Sequence, residues 1–167
     1  MIPTLTTDRL TLRPYLRRDF DTYAAFFASE RAQYMGGAID SDKAWSFFTN
    51  DIASWSLYGF GTLAVEIGGK LAGMCGLVQP PSFPEPECGW VIYDGFTGQG
   101  YAKEAGAAML AHTFATTRLS TIVSYVDPDN APSHAVAAGI GGTVDPDAAT
   151  PFGDKNVVYR HFPKEAS

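Results

Sequence analysis

One segment restricts the fold of this chain more than any other: a predicted strand that runs through a glycine-rich turn directly into a predicted helix. Glu87–Tyr93 is strand-like, Asp94–Gly100 contains three glycines, and Tyr101–Thr117 is rich in Ala, Met and Leu. Consecutive backbone N–H groups at such a turn point outward, and the helix dipole adds partial positive charge. Glycines let an anion approach the backbone closely. The segment predicts a phosphate site, although a tight strand-to-helix connection without a ligand has the same pattern.

Two familiar phosphate motifs do not match this segment. A P-loop requires Gly, four residues and then Gly-Lys-Ser/Thr, and the sequence contains no such string. A dinucleotide fingerprint requires a third glycine at the position where Lys103 follows Gly98-Gln99-Gly100. Both absences count against a nucleotide-binding module.

The pattern on either side of the segment predicts one mixed α/β domain over residues 1–167. The other predicted elements are a strand at Arg9–Arg13, helices that begin near Asp19 and Asp40, a hairpin of Thr62–Ile67 and Leu71–Val78, a strand at Thr121–Val126, a helix at Ser133–Ala138 and a strand at Asn156–Phe162. This order places a βαβ crossover in the second half of the chain.

The composition argues against several classes of partner. A formal net charge of −6 does not suit a nucleic acid or an anionic membrane surface. No apolar run reaches the roughly 18–20 residues of a membrane span, and no signal peptide is visible, so we expect a cytoplasmic protein. Cys75 and Cys88 lie in apolar stretches without metal-ligand spacing, which predicts buried free thiols and no metal.

Four motifs occur in the order and spacing of one known family. They are the Thr-x-Arg-Leu-x-Leu-Arg string of Thr7–Pro14, the strand Glu87–Ile92, the Gly-x-Gly-Tyr-Ala-x-Glu-Ala string of Gly98–Ala105, and Val126–Ser133, which ends in Asn-x-x-Ser. With these motifs, nearly the whole chain resembles the GNAT superfamily of N-acetyltransferases, and within it the branch of the ribosomal-protein-alanine N-acetyltransferases.

The resemblance implies a GNAT-like α/β fold, with a central twisted, mostly antiparallel sheet, a parallel βαβ crossover at the cofactor site and helices on both faces. It implies direct transfer of an acetyl group, in a ternary complex, from acetyl-CoA as co-substrate to a primary amine, without a metal. The acceptor would be a protein N-terminus or a small amine. A non-catalytic acyl-CoA-binding or regulatory module of the same fold is the alternative, and the oligomeric state stays open, with a homodimer as one expectation.

The resemblance also assigns residues to the cofactor. Backbone N–H groups of Val91 and Ile92 would pair with the pantetheine arm. The pyrophosphate would be held by the backbone of five residues: Gly98, Gln99, Gly100, Tyr101 and Ala102.

Three side chains are predicted to take part in binding or chemistry. Glu87 is the predicted general base, and an exposed carboxylate at a strand end is the alternative. Asn130 would bind the cofactor, or else form an Asx turn or helix cap. Ser133 would hydrogen-bond the leaving thiolate, or cap a helix. The presence of all three favours an enzyme over a binding module.

Two positions depart from the family pattern. Thr97 stands where Gln or Arg often opens the phosphate loop, and Gly142 stands where an aromatic residue is expected, which affects the packing of the last helix. Among the aromatic residues, Trp45 and Trp55 are predicted to be core rather than cleft. Phe83, in a proline-rich loop, is a candidate for the acceptor cleft.

Overall fold

A computed structural model describes residues 1–164 of the protein, which form eight strands and four α-helices. The strands are β1 Leu5–Thr6, β2 Thr11–Arg13, β3 Thr62–Ile67, β4 Lys70–Val78, β5 Glu87–Ile92, β6 Ile122–Val126, β7 Thr143–Val144 and β8 Val157–His161. The helices are α1 Phe20–Phe27, α2 Ser41–Tyr58, α3 Tyr101–Thr116 and α4 Ala131–Gly139.

Local chemistry explains where the longest helix begins and ends. The side chain of Asp40 accepts a hydrogen bond from the amide of Lys43 at 2.8 Å and so caps the first turn of α2. Gly59 ends the helix in the left-handed conformation, with φ of 76°. The predicted start of this helix near Asp40 is therefore confirmed.

All strands lie in one sheet in the order β1-β2-β3-β4-β5-β6-β8-β7. Every neighbouring pair is antiparallel except β5 and β6, which are parallel and connected through α3. The predicted fold class is confirmed, including the parallel crossover.

The parallel pair β5–β6 has very little backbone pairing. Its register contains one pair, Glu87 with Val123, whereas β4 and β5 pair from Gly73–Ile92 to Val78–Glu87. Beyond Glu87, no backbone pairing joins β5 to β6 among residues 1–164, so a gap opens toward their carboxyl ends. Because the strands are parallel, the turns that follow them lie at the same edge of the sheet.

Apolar side chains cover both faces of the sheet. On one face, Cys88 of β5 lies in a cluster with Ala105 and Met109 of α3. On the other face, Val91 of β5 lies in a cluster with Phe48 of α2 and residues of α1. Since side chains alternate along a strand, Glu87 and Gly89 share the face of α1 and α2 with Val91.

Some predicted boundaries are wrong. The predicted strand at Arg9–Arg13 begins only at Thr11, because Arg9 lies in the turn between β1 and β2 and its side chain binds elsewhere. The short strands β1 and β7 were not predicted. The last helix begins at Ala131 rather than Ser133, with Asn130 as its N-cap.

The tryptophans and cysteines give a mixed result. Trp45 is not core, since 41% of it is exposed. Trp55 packs against the core cluster of α3, and its ring N–H donates to the carbonyl of Thr62 at 3.1 Å. Cys75 and Cys88 are free and buried, as predicted.

Within residues 1–164, no helix combines the length and apolar character needed to cross a bilayer.

Candidate active site

The turn between β5 and α3 presents a row of free backbone donors. Gly98 and Gly100 have φ angles of 76° and 81°, a region in which most side chains would be strained. Gly100 is the N-cap of α3, and no described residue accepts a hydrogen bond from the amides of residues 98–103. These donors include the first amides of α3, which have no partner within a helix. Together with the dipole of this 16-residue helix, they fit an anionic diphosphate.

Three residues fasten this turn to the amino-terminal part of the chain, and we call Thr7, Arg9 and Glu104 the amino-terminal clamp. Oε1 of Glu104 accepts from the hydroxyl of Thr7 at 2.6 Å and from the amide of Arg9 at 3.0 Å. Oε2 of Glu104 accepts from Nε of Arg9 at 2.7 Å and lies 2.6 Å from its Nη2. All three residues lie in the motifs Thr7–Pro14 and Gly98–Ala105, but the sequence predicts no cofactor-binding or catalytic role for any of them.

The direction of the amides in β5 separates Val91 from Ile92. The amide of Tyr93, directly after β5, donates to the carbonyl of Ala72 of β4 at 2.8 Å. This bond continues the register in which Gly73 lies opposite Ile92 and Met74 lies opposite Val91. Antiparallel pairing alternates, so the amide of Val91 also faces β4, where it pairs with Met74. The amide of Ile92 faces the gap. Of the two residues predicted to pair with the pantetheine arm, Ile92 has its N–H on the side of the gap, and Val91 has its N–H on the side of β4.

A short 3-10 helix, Glu30–Met35, spans the open end of the gap. Its Arg31 donates to the carbonyl of Ile92 at 3.1 Å and pairs with Asp94. Its Tyr34 donates to the carbonyl of Asp129, beyond the end of β6, at 3.4 Å. The segment after α1 is thus attached to both sides of the gap, through residues that sequence analysis did not single out.

Glu87 lies at the closed end of the gap, where β5 and β6 still pair. Its Oε1 accepts a hydrogen bond from the amide of Tyr125 of β6 at 3.3 Å. The side chain of Glu87 thus accepts the bond that a backbone carbonyl of β5 would accept if the parallel pairing continued. Burial raises the pKa of Glu87 to about 7, although the bond from Tyr125 opposes the shift. The alternative of an exposed strand-end carboxylate does not fit this position, because Glu87 is half-buried.

The surface beside Glu87 is open on the side of α1 and α2. At Gly89, two residues along the same face, an added Cβ would meet no atom within 4 Å. A small reacting group could therefore approach Glu87 over Gly89.

Asn130 and Ser133 lie together at the start of α4. Oδ1 of Asn130 accepts from the amide of Ser133 at 3.3 Å, which makes Asn130 the helix cap. Ser133 is the third residue of α4 and not its cap. Its hydroxyl has no hydrogen-bond partner among residues 1–164, so it is free to donate to a ligand.

A cavity of about 360 Å³ lies beside the 3-10 helix. Its lining residues are Gln33, Tyr34, Gly36, Asp127, Pro128, Asp154, Lys155 and Asn156. Two carboxylates and one ammonium group line it, so its walls are negative overall. Phe83 is not one of them, and its ring lies edge-on to that of Tyr125 with 5.6 Å between the centroids.

The departure at Gly142 has a packing explanation. An added Cβ would lie 2.7 Å from Cε1 of His161 and 2.8 Å from the carbonyl oxygen of Ala137, so His161 fills the space of the expected aromatic residue. Nε2 of His161 lies 3.0 Å from the hydroxyl of Ser124, which itself donates to the carbonyl of Cys88 at 2.7 Å. Burial lowers the pKa of His161 to about 4, and the pair is structural.

A turn with free backbone amides and a carboxylate with a pKa near neutrality thus lie at opposite ends of one gap between parallel strands. Residues 9–143 match the sequence profile described as "Acetyltransferase (GNAT) domain". The chain belongs to the GNAT acetyltransferase family. Both the predicted resemblance and the enzyme class that it implied are confirmed at the level of this family. Within residues 1–164, no group of three His, Cys, Asp or Glu residues could hold a metal ion.

Relatives of this GNAT domain differ in how far the likeness extends. The crystal structure of an acetyltransferase from Agrobacterium tumefaciens str. C58 is 45% identical, with a TM-score of 0.92 over 96% of this chain and 95% of that one. RimL, a ribosomal L7/L12 alpha-N-protein acetyltransferase solved with coenzyme A, is 16% identical with a TM-score of 0.75 over 96% and 98%, which shows the fold alone. An uncharacterized N-acetyltransferase of Bacillus subtilis (strain 168), YnaD, is 38% identical over 55 residues. That segment covers 33% of this chain and only 32% of the curated relative.

Proposed function

We propose that this GNAT domain transfers an acetyl group from acetyl-CoA to a primary amine, either a protein N-terminus or a small amine, by direct attack in a ternary complex. The observation that carries the proposal is the gap between β5 and β6, with free amides at its open end and Glu87 at its closed end. A linear ligand with a diphosphate at one end and a reactive group at the other suits this arrangement.

Acetyl-CoA would supply the activated acetyl thioester, and the protein would supply the backbone amides and side chains that bind it. The amides of residues 98–103 would hold the diphosphate, and the amide of Ile92 would pair with the pantetheine arm like an added strand. Asn130 keeps its side-chain N–H₂ group for the cofactor, since only its oxygen is used in capping α4. RimL, which has the same fold, was solved with coenzyme A.

Glu87 would act as the base. An amine must be neutral to attack a carbonyl carbon, yet amines are mostly protonated at pH 7. A carboxylate with a pKa of about 7 is suited to accept that proton, because half of it is ionised at neutral pH. The free hydroxyl of Ser133 would then donate to the departing thiolate.

The cavity beside the 3-10 helix is the candidate entrance for the acceptor. Its negative walls favour a protonated amine over an anion. A protein N-terminus is the acceptor that the name of RimL suggests, and a small amine fits the same charge.

The test follows the release of CoA thiol from acetyl-CoA with a panel of N-terminal peptides and small amines, for the wild type and Glu87→Gln. We expect amine-dependent release that falls at least about 100-fold in Glu87→Gln, since general base catalysis contributes roughly 10²–10⁴-fold. Binding of acetyl-CoA without release on any acceptor would favour the non-catalytic acyl-CoA-binding module. Absence of binding would contradict the cofactor assignment.

A further inference from the structure

The amino-terminal clamp joins two parts of the chain that are far apart in sequence. Arg9 contacts both the turn and the first helical residues of α3. Its Nη1 donates to the carbonyl of Gln99 at 2.9 Å, and its guanidinium carbon lies 4.7 Å from the ring centroid of Tyr101. Its remaining N–H groups bind Glu104. One side chain therefore holds three residues of the segment that presents the free amides.

We propose that Arg9 is a positioning residue for the diphosphate of the cofactor: it fixes the peptide between Gln99 and Gly100 and compensates the charge of Glu104. This inference rests on the proposed function, because it concerns the same cofactor site. Arg9 acts through the turn, and no contact with the ligand is required of it.

The first part of the argument is the orientation of one peptide. In a trans peptide the C=O and N–H groups point in opposite directions. With the carbonyl of Gln99 held by Arg9, the N–H of Gly100 points away from Arg9. Glycine tolerates both signs of φ, so this peptide could turn over at little cost without the hydrogen bond. A reversed peptide would present a carbonyl oxygen to an anion.

The second part of the argument is charge. Glu104 lies in the first turn of α3, next to the amides proposed to bind the diphosphate. An uncompensated carboxylate there would repel an anionic ligand. Partial burial of Glu104 acts to raise its pKa, but the hydrogen bonds from Thr7 and Arg9 outweigh it and hold the pKa below its ordinary value, so the carboxylate is ionised at neutral pH. The guanidinium of Arg9 supplies the compensating charge at 2.6 Å.

The experiment measures the dissociation constants of CoA and of pantetheine, which lacks the diphosphate, by calorimetry at constant ionic strength. In Arg9→Met we expect the Kd for CoA to rise at least about tenfold, as for loss of charge-assisted hydrogen bonds, while the Kd for pantetheine changes by less than about twofold. In the steady state, KM for acetyl-CoA should rise while kcat at saturation stays within about twofold of the wild type.

Two further variants separate position from charge. In the Arg9→Met background, Glu104→Gln should restore part of the affinity for CoA, because it removes the uncompensated carboxylate. Arg17→Met is the matched control: it removes the same charge from an exposed side chain whose salt bridge is with Asp21 and not with the turn. Its Kd for CoA should stay within about twofold of the wild type.

Several outcomes would overturn the proposal. Equal weakening of CoA and pantetheine would show a general structural role, and a loss no larger than that of Arg17→Met would show an effect of net charge alone. If Arg9→Met does not fold, Arg9→Lys keeps the charge but cannot make all the contacts, and an unchanged Kd for CoA would then reject the positioning role. Failure of the wild type to bind CoA would contradict the proposed function itself, and this inference with it.

Discussion

Glu87 and Asp51 are two carboxyl groups whose pKa values are both raised to about 7 by burial, in different parts of the protein. Glu87 lies between β5 and β6, with a backbone amide as its partner. Asp51 of α2 accepts a hydrogen bond from the hydroxyl of the buried Tyr23 at 3.1 Å. The same electrostatic cause therefore predicts a catalytic effect at one residue and a stability effect at the other.

At Glu87 the prediction concerns the pH dependence of turnover. A base acts in its ionised form, so kcat/KM should fall as the pH decreases through about 7, the pKa of Glu87 in the free protein. In Glu87→Gln we expect this fall in kcat/KM near pH 7 to disappear, so that only the titration of the acceptor amine still affects kcat/KM. The measurement is kcat/KM from pH 5.5 to 9. A limb near 7 that persists in Glu87→Gln would assign the base to another group.

At Asp51 the prediction concerns the pH dependence of folding. Its folded pKa of about 7 lies above the unfolded value of about 3.9, so its contribution to stability is complete at low pH and is lost as the pH rises through 7. From pH 6 to 8 this loss is about 1.4 kcal/mol in the free energy of unfolding.

Urea unfolding at pH 6 and pH 8 checks this value. Asp51→Asn should remove the part of this pH-dependent loss of stability that comes from Asp51. The part that comes from Glu87 should remain, because its pKa is also raised to about 7. Asp21→Asn is the matched control, because the side chain of Asp21 is 88% exposed. Equal pH dependence in Asp51→Asn and in the wild type would contradict the raised pKa.

At the scale of the elements, two glycines of neighbouring strands predict effects of very different size for the same substitution. An added Cβ at Gly73 of β4 would lie 2.1 Å from the carbonyl oxygen of Val91, whereas one at Gly89 of β5 would meet nothing within 4 Å. Gly73→Ala should therefore lower the free energy of unfolding by about 2 kcal/mol or more, since the backbone of β4 or β5 must move. Gly89→Ala should change it by less than about 1 kcal/mol.

Chemical denaturation of the two variants makes the comparison, and activity adds a second readout. Gly89→Ala places a methyl group on the face of Glu87, so we expect its turnover to fall although it folds normally. Normal stability of Gly73→Ala would show that the close contact of β4 with β5 is not required.

The elements themselves were predictable from the sequence to different degrees. The helix after Gly100 and the hairpin around Gly68-Gly69 follow from local signals, because glycine and periodicity act within a few residues. The amino-terminal clamp could not be predicted, because it joins residues that are 95 or more positions apart. The direction of the Val91 amide also needed the register with β4, which no local pattern of residues specifies.

At the scale of the whole molecule, the sheet consists of two parts with a narrow connection. Strands β1 to β5 form one part and β6, β8 and β7 the other, joined by one backbone pair in the β5–β6 register. Arg160 of β8 strengthens this connection. Its guanidinium binds both carboxylate oxygens of Glu85, just before β5, at 2.6 and 2.8 Å, and its Nε binds Asp145 at 2.7 Å.

This arrangement predicts that Arg160→Met loosens the second part of the sheet more than the first. Removing one member of a partly buried ion pair leaves Glu85 without its partner. We expect faster hydrogen exchange in β6 and β8, with little change in β3 and β4, measured by mass spectrometry. Arg118→Met removes the same charge from an exposed residue and serves as the control. Equal acceleration in all strands would show that the sheet opens as one unit.

The long separation within the amino-terminal clamp also orders events during biosynthesis. Thr7 and Arg9 leave the ribosome early, while Glu104 is added 95 residues after Arg9. At about 5–20 residues per second, that interval lasts roughly 5–20 s. During this time the nascent chain can form its first strands and helices but has no finished phosphate turn. Ligand capture therefore has to wait until residues 98–104 have been added and Glu104 has met Thr7 and Arg9.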